Sequence, residues 1–208
     1  MWETASCFNI RSNSQAVKFT NYILKLCDLR SLNDISLPLE SLNNLGKHVK
    51  NSLYKYFTDF WKGQIQQSKK LKTLAQVKNN FVFEEYLHEI NNVKFRQAVT
   101  KMRISAHRLP VESGRYNKVH HDERKCTLCH RNEIGDEYHY ITSCSNKKFV
   151  ELRYTFMNDI YNVNTSFRLF DTKDFFIYIL NIHDKTIMKI IAKYFHDILS
   201  IYDSIHIV

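Results

Sequence analysis

Three thiols and an imidazole fall into one short stretch of this chain: Cys126-Thr-Leu-Cys129, then His139, then Cys144. Four such donors in two pairs can enclose one Zn²⁺ as a tetrahedron. The first pair chelates from a single tight turn. The second, His139-Tyr-Ile-Thr-Ser-Cys144, returns from the far side of a loop in which Gly135 offers a sharp turn at little steric cost. A bland alternative, two reduced buried cysteines with an incidental His and Cys, leaves their closeness unexplained in a chain of only five cysteines. Cys126-Thr-Leu-Cys129-His130 also fits covalent haem attachment. That chemistry needs export, and Met1-Trp-Glu-Thr-Ala-Ser-Cys7 has no basic region followed by an apolar run. Haem would also leave His139 and Cys144 without a role. His120, His121 and His130 stand beside the first pair, whereas closing a tetrahedron takes a ligand from elsewhere, which favours His139.

The elements that must position these ligands are read from composition and periodicity. The chain has 208 residues, enough for one domain or one domain with an appended piece. Hydrophobic residues at 44% supply a core, and 4 Gly and 2 Pro favour long helices over many tight turns. No apolar run reaches the roughly 20 residues of a membrane span. Cysteines without a secretory signal suit a reducing compartment, so an intracellular location, cytoplasm or nucleus, is expected, with Cys7 and Cys27 as free thiols.

The formal charge is +9, and its location matters more than its size. Residues 61–78 carry Lys62, Lys69, Lys70, Lys72 and Lys78 with no acid. Residues 101–131 carry Lys101, Arg103, Arg108, Arg115, Lys118, Arg124, Lys125 and Arg131 against Glu112, Asp122 and Glu123. Each block nets +5, so the rest of the chain sums to −1. Such concentration points to a polyanion, and nucleic acid fits best. Anionic lipid fits less well, because the blocks lack an apolar face of interfacial strength.

Helical spacing is expected over 15–29 (Val17, Ile23, Leu24, Cys27), followed by a connector over 32–39 marked by Pro38. A long amphipathic helix follows from Glu40 to Gln67, with Leu42, Leu45, Val49, Leu53, Tyr56, Phe57, Phe60 and Trp61 on one face. The helix period of the aromatics from Tyr54 to Trp61 suggests core rather than a base-stacking platform. A basic helix is expected over 69–78 and a short one over 84–90. Over 93–108, Phe95, Ala98, Val99, Met102 and Ala106 form a stripe. Lys94, Lys101 and Arg108 flank it on one side, and Arg96 and Arg103 on the other. Such a helix can dock its apolar face while presenting cations to phosphates, although Lys and Arg stems also cover apolar surface without binding anything. Leu109-Pro110 reads as its end and Gly114-Arg115-Tyr116 as a turn. Further helices are expected over 147–161, in short segments 167–170 and 175–180, and after an Asp184 cap, where Ile187, Ile190, Ile191, Tyr194, Phe195, Ile198 and Ile201 face inward. His183, His196 and His206 read as structural.

Taken in order, Lys101-Met-Arg103-Ile-Ser-Ala-His107-Arg-Leu109, Glu112-Ser-Gly114-Arg115-Tyr116, Arg124-Lys-Cys126-Thr-Leu-Cys129, Asp136-Glu137-Tyr-His139 and Cys144 resemble one family. The run is similar to the region downstream of the polymerase domain in non-LTR (LINE-like) retrotransposon reverse transcriptases, which ends in a CCHC zinc motif. The likeness is best over 94–144, extends over about 61–205 and is faint over 1–60. It implies binding of element RNA or target DNA during target-primed reverse transcription. It also implies Cys126, Cys129, His139 and Cys144 as zinc ligands, with Arg103, His107 and Arg115 in the matching helix–turn element. The paired palm aspartates of a polymerase are missing: no two aspartates are adjacent. Some related elements carry a nuclease after the zinc motif, and Asp171-Thr-Lys173, with Asp159, is the nearest match. Their aromatic flanks, Phe170 and Phe175-Phe176, suggest instead a capped helix start.

The expectation is a mainly α fold. An N-terminal helical segment (1–60) precedes a helical domain (61–208) that carries a zinc-stabilised CCHC knuckle at 126–144. Its expected role is to bind RNA or DNA without catalysis, with no small-molecule substrate and no membrane. A downstream nuclease and a zinc-stabilised protein-interaction module are the alternatives. The latter explains the metal but not the basic blocks.

Overall fold

The computed structural model describes residues 39–168 and 173–206 together with Lys18, Tyr22, Ile23 and Lys25. The fold is mainly α. Chain contacts divide it into two compact units, Met1–Gln64 and Ile65–Val208.

In the first unit, Lys18, Tyr22, Ile23 and Lys25 are helical. The rest of the helix expected over 15–29, and Cys7 and Cys27, lie outside the described residues. Helix α1, Leu39–Gln67, follows the long amphipathic pattern closely. Its aromatics depart from the expectation of a core: Tyr54, Phe57 and Phe60 remain about half exposed. Periodicity marks one face of a helix but not what covers it. The Tyr56 ring stacks against Phe60, and the Tyr56 hydroxyl lies 2.9 Å from that of Tyr22.

The second unit is organised around its last helix. Short helices α2 (Lys72–Val77) and α3 (Tyr86–Glu89) precede α4 (Val93–Arg103) and α5 (Pro110–Tyr116). Then come α6 (Lys147–Tyr161), α7 (Lys173–Leu180) and α8 (Lys185–His206). Helix α8 packs against both α4 and α6 and also meets α3. Flanked on several sides, it buries Ile187, Met188, Ile191, Ala192, Tyr194, Phe195, Ile198 and Tyr202. The Tyr194 ring lies flat against Phe156 of α6 at 4.0 Å between centroids. Each fully buried side chain of this size, such as Phe149, Phe195 or Ile198, contributes about 1.5–3 kcal/mol of hydrophobic stabilisation.

Local chemistry sets the helix starts. The Asn92 carboxamide oxygen accepts from the amides of Lys94 and Phe95 at the head of α4. Asn146 accepts from Lys148 N at the head of α6. Asp184 accepts from the amides of Thr186 and Ile187, each at 2.9 Å, as its type and position before α8 led one to expect.

Several boundaries differ from the sequence reading: the basic helix expected over 69–78 runs only from Lys72 to Val77, leaving Lys69, Lys70 and Lys78 outside it. Helix α4 stops at Arg103, because Ser105 turns into the left-handed region at φ 50° and the Ala106 amide returns to the Lys101 carbonyl. Ala106 and Arg108 are therefore off the helix. Pro110 opens α5 instead of closing α4, since its missing N–H falls where a helix has a free donor anyway. Gly114 to Tyr116 are helical, not a turn. Residues 167–168 are not helical, and 169–172 lie outside the described residues. No helix among the described residues is long and apolar enough to cross a membrane.

Replacing the Asp184 cap by Ala is expected to cost about 0.5–2 kcal/mol, and replacement by Asn to cost much less. Urea unfolding of the two variants checks this, with equal losses counting against the cap.

Candidate metal centre and the adjoining basic groove

Cys126 and Cys129 sit on a small hairpin. An antiparallel bridge pairs Lys125 with Ile134, and the Cys126 amide donates to the Glu133 carbonyl at 2.9 Å. The left-handed residue of this hairpin is Asn132, at φ 54°; Gly135 does not have positive φ. Gly135 is required for space instead, since a Cβ there would lie 2.6 Å from Pro110 Cγ. Gly135 is thus needed for its missing side chain and not for a left-handed turn.

His139 and Cys144 come from a π-helical turn, His139–Ser143, closed by the Cys144 amide on the His139 carbonyl at 2.8 Å. In an α-helix, side chains five residues apart would point about 140° away from each other. Widening the turn to i→i+5 bonding brings them to one side. The turn is anchored from below by α8. The Tyr194 hydroxyl donates to the Ile141 carbonyl at 2.6 Å, and the Tyr140 ring packs edge-on against Tyr202. From the front, the Asp136 carboxylate accepts from the His139 amide at 2.8 Å. Burial pushes the Asp136 carboxyl above its usual range.

The four donor atoms lie within 4.8 Å of one another, and this cluster can hold a metal ion. Cys126 Sγ and Cys144 Sγ are 3.9 Å apart, and Cys129 Sγ and His139 Nε2 are 3.4 Å apart. A zinc tetrahedron, with Zn–S of about 2.3 Å and Zn–N of about 2.0–2.1 Å, has S···S edges of about 3.8 Å and S···N edges of about 3.6 Å. The donor set and its spacing therefore fit. His130, His120 and His121 are exposed, and the last two face Asp122.

The surroundings prepare these ligands for a cation. His139 presents Nε2 to the cluster while Nδ1 meets Glu133 Oε2 at 2.9 Å, a carboxylate–imidazole pair of the kind that orients metal-binding histidines. Glu133 also accepts from Ser143 Oγ and pairs with Arg131, whose other end donates to the Ser143 carbonyl. The hydrogen bond with Cys144 lowers the Cys126 thiol to about 3 against burial, helped by His139, Tyr140 and the Leu128 amide. Cys144 is pushed up by the same bond and by burial, so Cys126 takes the charge of the pair. Burial pulls His139 down, but Cys126 and Glu133 outweigh it and raise it to about 9. Glu133, Tyr140 and Ser143 carry no sequence pattern of their own; only the fold brings them to the ligands.

The other residues expected at a functional surface divide into two groups. Arg103 is buried. It donates to Glu84 at 2.8 Å and to the Leu180 carbonyl, with its guanidinium over the Tyr86 ring. The His107 side chain is likewise buried, with Nε2 2.8 Å from Glu137 Oε1, which also accepts from Ser105 Oγ. Arg124 donates to the carbonyls of Val111 and Val119, and its stem fills the space beside Gly114. These three are struts within the fold, because low-dielectric surroundings make their internal bonds the ones they cannot give up. Arg96, from the same flanking set, donates to the Ile90 carbonyl.

Lys69, Lys72, Lys101, Arg108 and Lys118 are exposed, as is Lys62 in the first unit; Lys70, Arg115 and Lys125 are half-buried. Two hollows of about 220 and 340 Å³ lie side by side and share Lys70, Ser105, Glu112 and Arg115. Lys69, Lys72 and Lys173 line the smaller, and Arg108 and Tyr116 the larger. Asp136, Glu137 and Tyr138 also line the smaller hollow, which ties the groove to the segment that delivers His139. The groove carboxylates are committed internally: Glu112 to Arg115, Glu137 to Ser105 and His107, Asp136 to the His139 amide. Among the described residues Lys69, Lys70, Lys72 and Arg108 have no such partner. Lys173 had been singled out only beside Asp171, which lies outside the described residues.

Metal removal by a chelator, or Cys129→Ser, is expected to expose the amides of 121–134 to hydrogen exchange, while Tyr140 and Ile141, held by α8, stay protected. Because ligands must shed protons to bind, metal affinity should rise with pH through about 9, where His139 releases its proton, and keep rising beyond it while Cys144 still holds its own. Glu133→Ala should weaken the metal about 10–100-fold, read by competition with a chromophoric chelator. No protein-family model, no curated protein and no solved structure matches this chain.

Proposed function

We propose that this chain binds nucleic acid along the basic groove, that a structural Zn²⁺ on Cys126, Cys129, His139 and Cys144 holds one wall of the groove in place, and that it does so without catalysis. One observation carries the reading. Two basic segments distant in sequence, 69–72 and 108–115, line one concave surface on which the carboxylates are already satisfied. What remains for a ligand is positive charge, and a phosphate backbone is the polyanion with matching spacing and density. Soft thiolates, an imidazole and tetrahedral spacing select zinc among common cations. With four protein ligands no position is left for a reactive water, so the ion is structural. The resemblance to the zinc-motif region of non-LTR retrotransposon reverse transcriptases implies the same class of partner and the same four ligands.

The test is the salt dependence of binding. With Lys69, Lys70 and Lys72 replaced by Gln, the slope of log affinity against log salt should flatten by up to about three, one for each lost phosphate contact. Anisotropy titrations of labelled RNA and DNA between about 50 and 200 mM salt measure it. An unchanged slope would show these lysines to be an ordinary solvated surface, and purified protein without stoichiometric zinc would remove the metal from the account.

A further inference from the structure

We propose that the hollow beside Tyr116 seats one unpaired nucleotide, with its phosphate on Lys70 and Arg115 and its base stacked on the Tyr116 ring, so that the groove takes single-stranded rather than duplex nucleic acid. This rests on the reading of the groove as a nucleic-acid site and narrows it.

Tyr116 is 83% exposed, more than any other large hydrophobic side chain among the described residues. It closes α5, a short helix whose start is fixed by Pro110, so the ring stands on a defined support. It also lines a hollow with Lys70, Arg108 and Arg115. An aromatic face beside cations is the pairing that binds single strands, since every base has a π-face and every nucleotide a phosphate. The Glu112 carboxylate accepts from Arg115 Nε at 2.8 Å and forms an ion pair with Nη2 at the same distance, which fixes the guanidinium plane and leaves its other edge for a phosphate oxygen.

His107 belongs to the wall of the same hollow, not to its contact surface: its side chain is 1% accessible, with Nε2 tied to Glu137. At about 340 Å³ the hollow suits one small ligand and has no room for a double helix. A duplex keeps its bases stacked inside and could offer this surface only phosphates, leaving the Tyr116 ring without a partner.

The experiment compares full-length wild type with Tyr116→Ala and Tyr116→Phe on single strands of about ten nucleotides and on duplexes of the same sequence. A 2-aminopurine is placed at successive positions of the strand to report stacking. Wild type should prefer the single strand and quench the probe. Tyr116→Ala should lose about five- to a hundred-fold in single-strand affinity and lose the quenching, with duplex affinity and salt slope unmoved. Tyr116→Phe should retain both. Tyr116 is exposed and supports no core contact, and circular dichroism with metal content checks that the variants fold. Tyr116→Ala that binds and quenches like wild type, while Lys69, Lys70 and Lys72→Gln weakens binding, would sink the nucleotide pocket and leave the basic groove standing. Preference of the wild type for duplex would also overturn the pocket. Failure of the wild type to bind either form would overturn the groove itself.

Discussion

Three sulfur atoms and an imidazole nitrogen packed within 4.8 Å of one another set the constraint on this fold. As thiolates they would repel strongly at such distances, and as thiols they would waste a buried site on weak hydrogen bonds. A divalent cation would resolve the conflict and would tie a loop-rich stretch into a fixed body. The surrounding features follow from that need. Glu133 turns the imidazole, the Tyr140 hydroxyl stands 3.2 Å from Cys126 Sγ, and α8 braces the π-helical turn through Tyr194 and Tyr202.

The segment from Asp136 to Ile141 links this centre to everything else. Asp136, Glu137 and Tyr138 line the basic groove, His139 faces the metal cluster, and Tyr140 and Ile141 are buried in the core. A displacement at the ligands is therefore felt at the groove without any intervening element. The hairpin is tied down separately: Asn146 donates to the Leu128 carbonyl from the head of α6, and Thr127 meets His206 near the end of α8.

The cluster of Cys126, Cys129, His139 and Cys144 was legible because metal chemistry limits donor type and spacing, and α8 was legible because its inner face repeats over several turns. The Asp184 cap was legible for a similar reason, being a local interaction spelled out by neighbouring residues. What could not be read depended on partners distant in sequence. Arg103 looks like any surface cation until Glu84 and the Leu180 carbonyl close over it. Arg124 was counted as surface charge on the same grounds, and His107 was placed at the binding element by the resemblance, although each makes its hydrogen bonds inside. Pro110 and Gly135 were recognised as punctuation, but their meaning lies in a packing contact between them that neither local sequence contains. The exposed aromatics of α1 show the converse, a periodic face whose covering the pattern does not supply.

The five-residue step from His139 to Cys144 has a consequence for how this chain can tolerate change in length. Surface loops usually absorb a gained or lost residue with little penalty. Here one residue removed from the π-helical turn would return it to α-helical winding, keep both ligands on one face as an i, i+4 pair, and shorten the path to Asn146. One residue added would carry Cys144 around the axis and away from the cluster. The site is thus asymmetric towards length variation, open to contraction and closed to expansion.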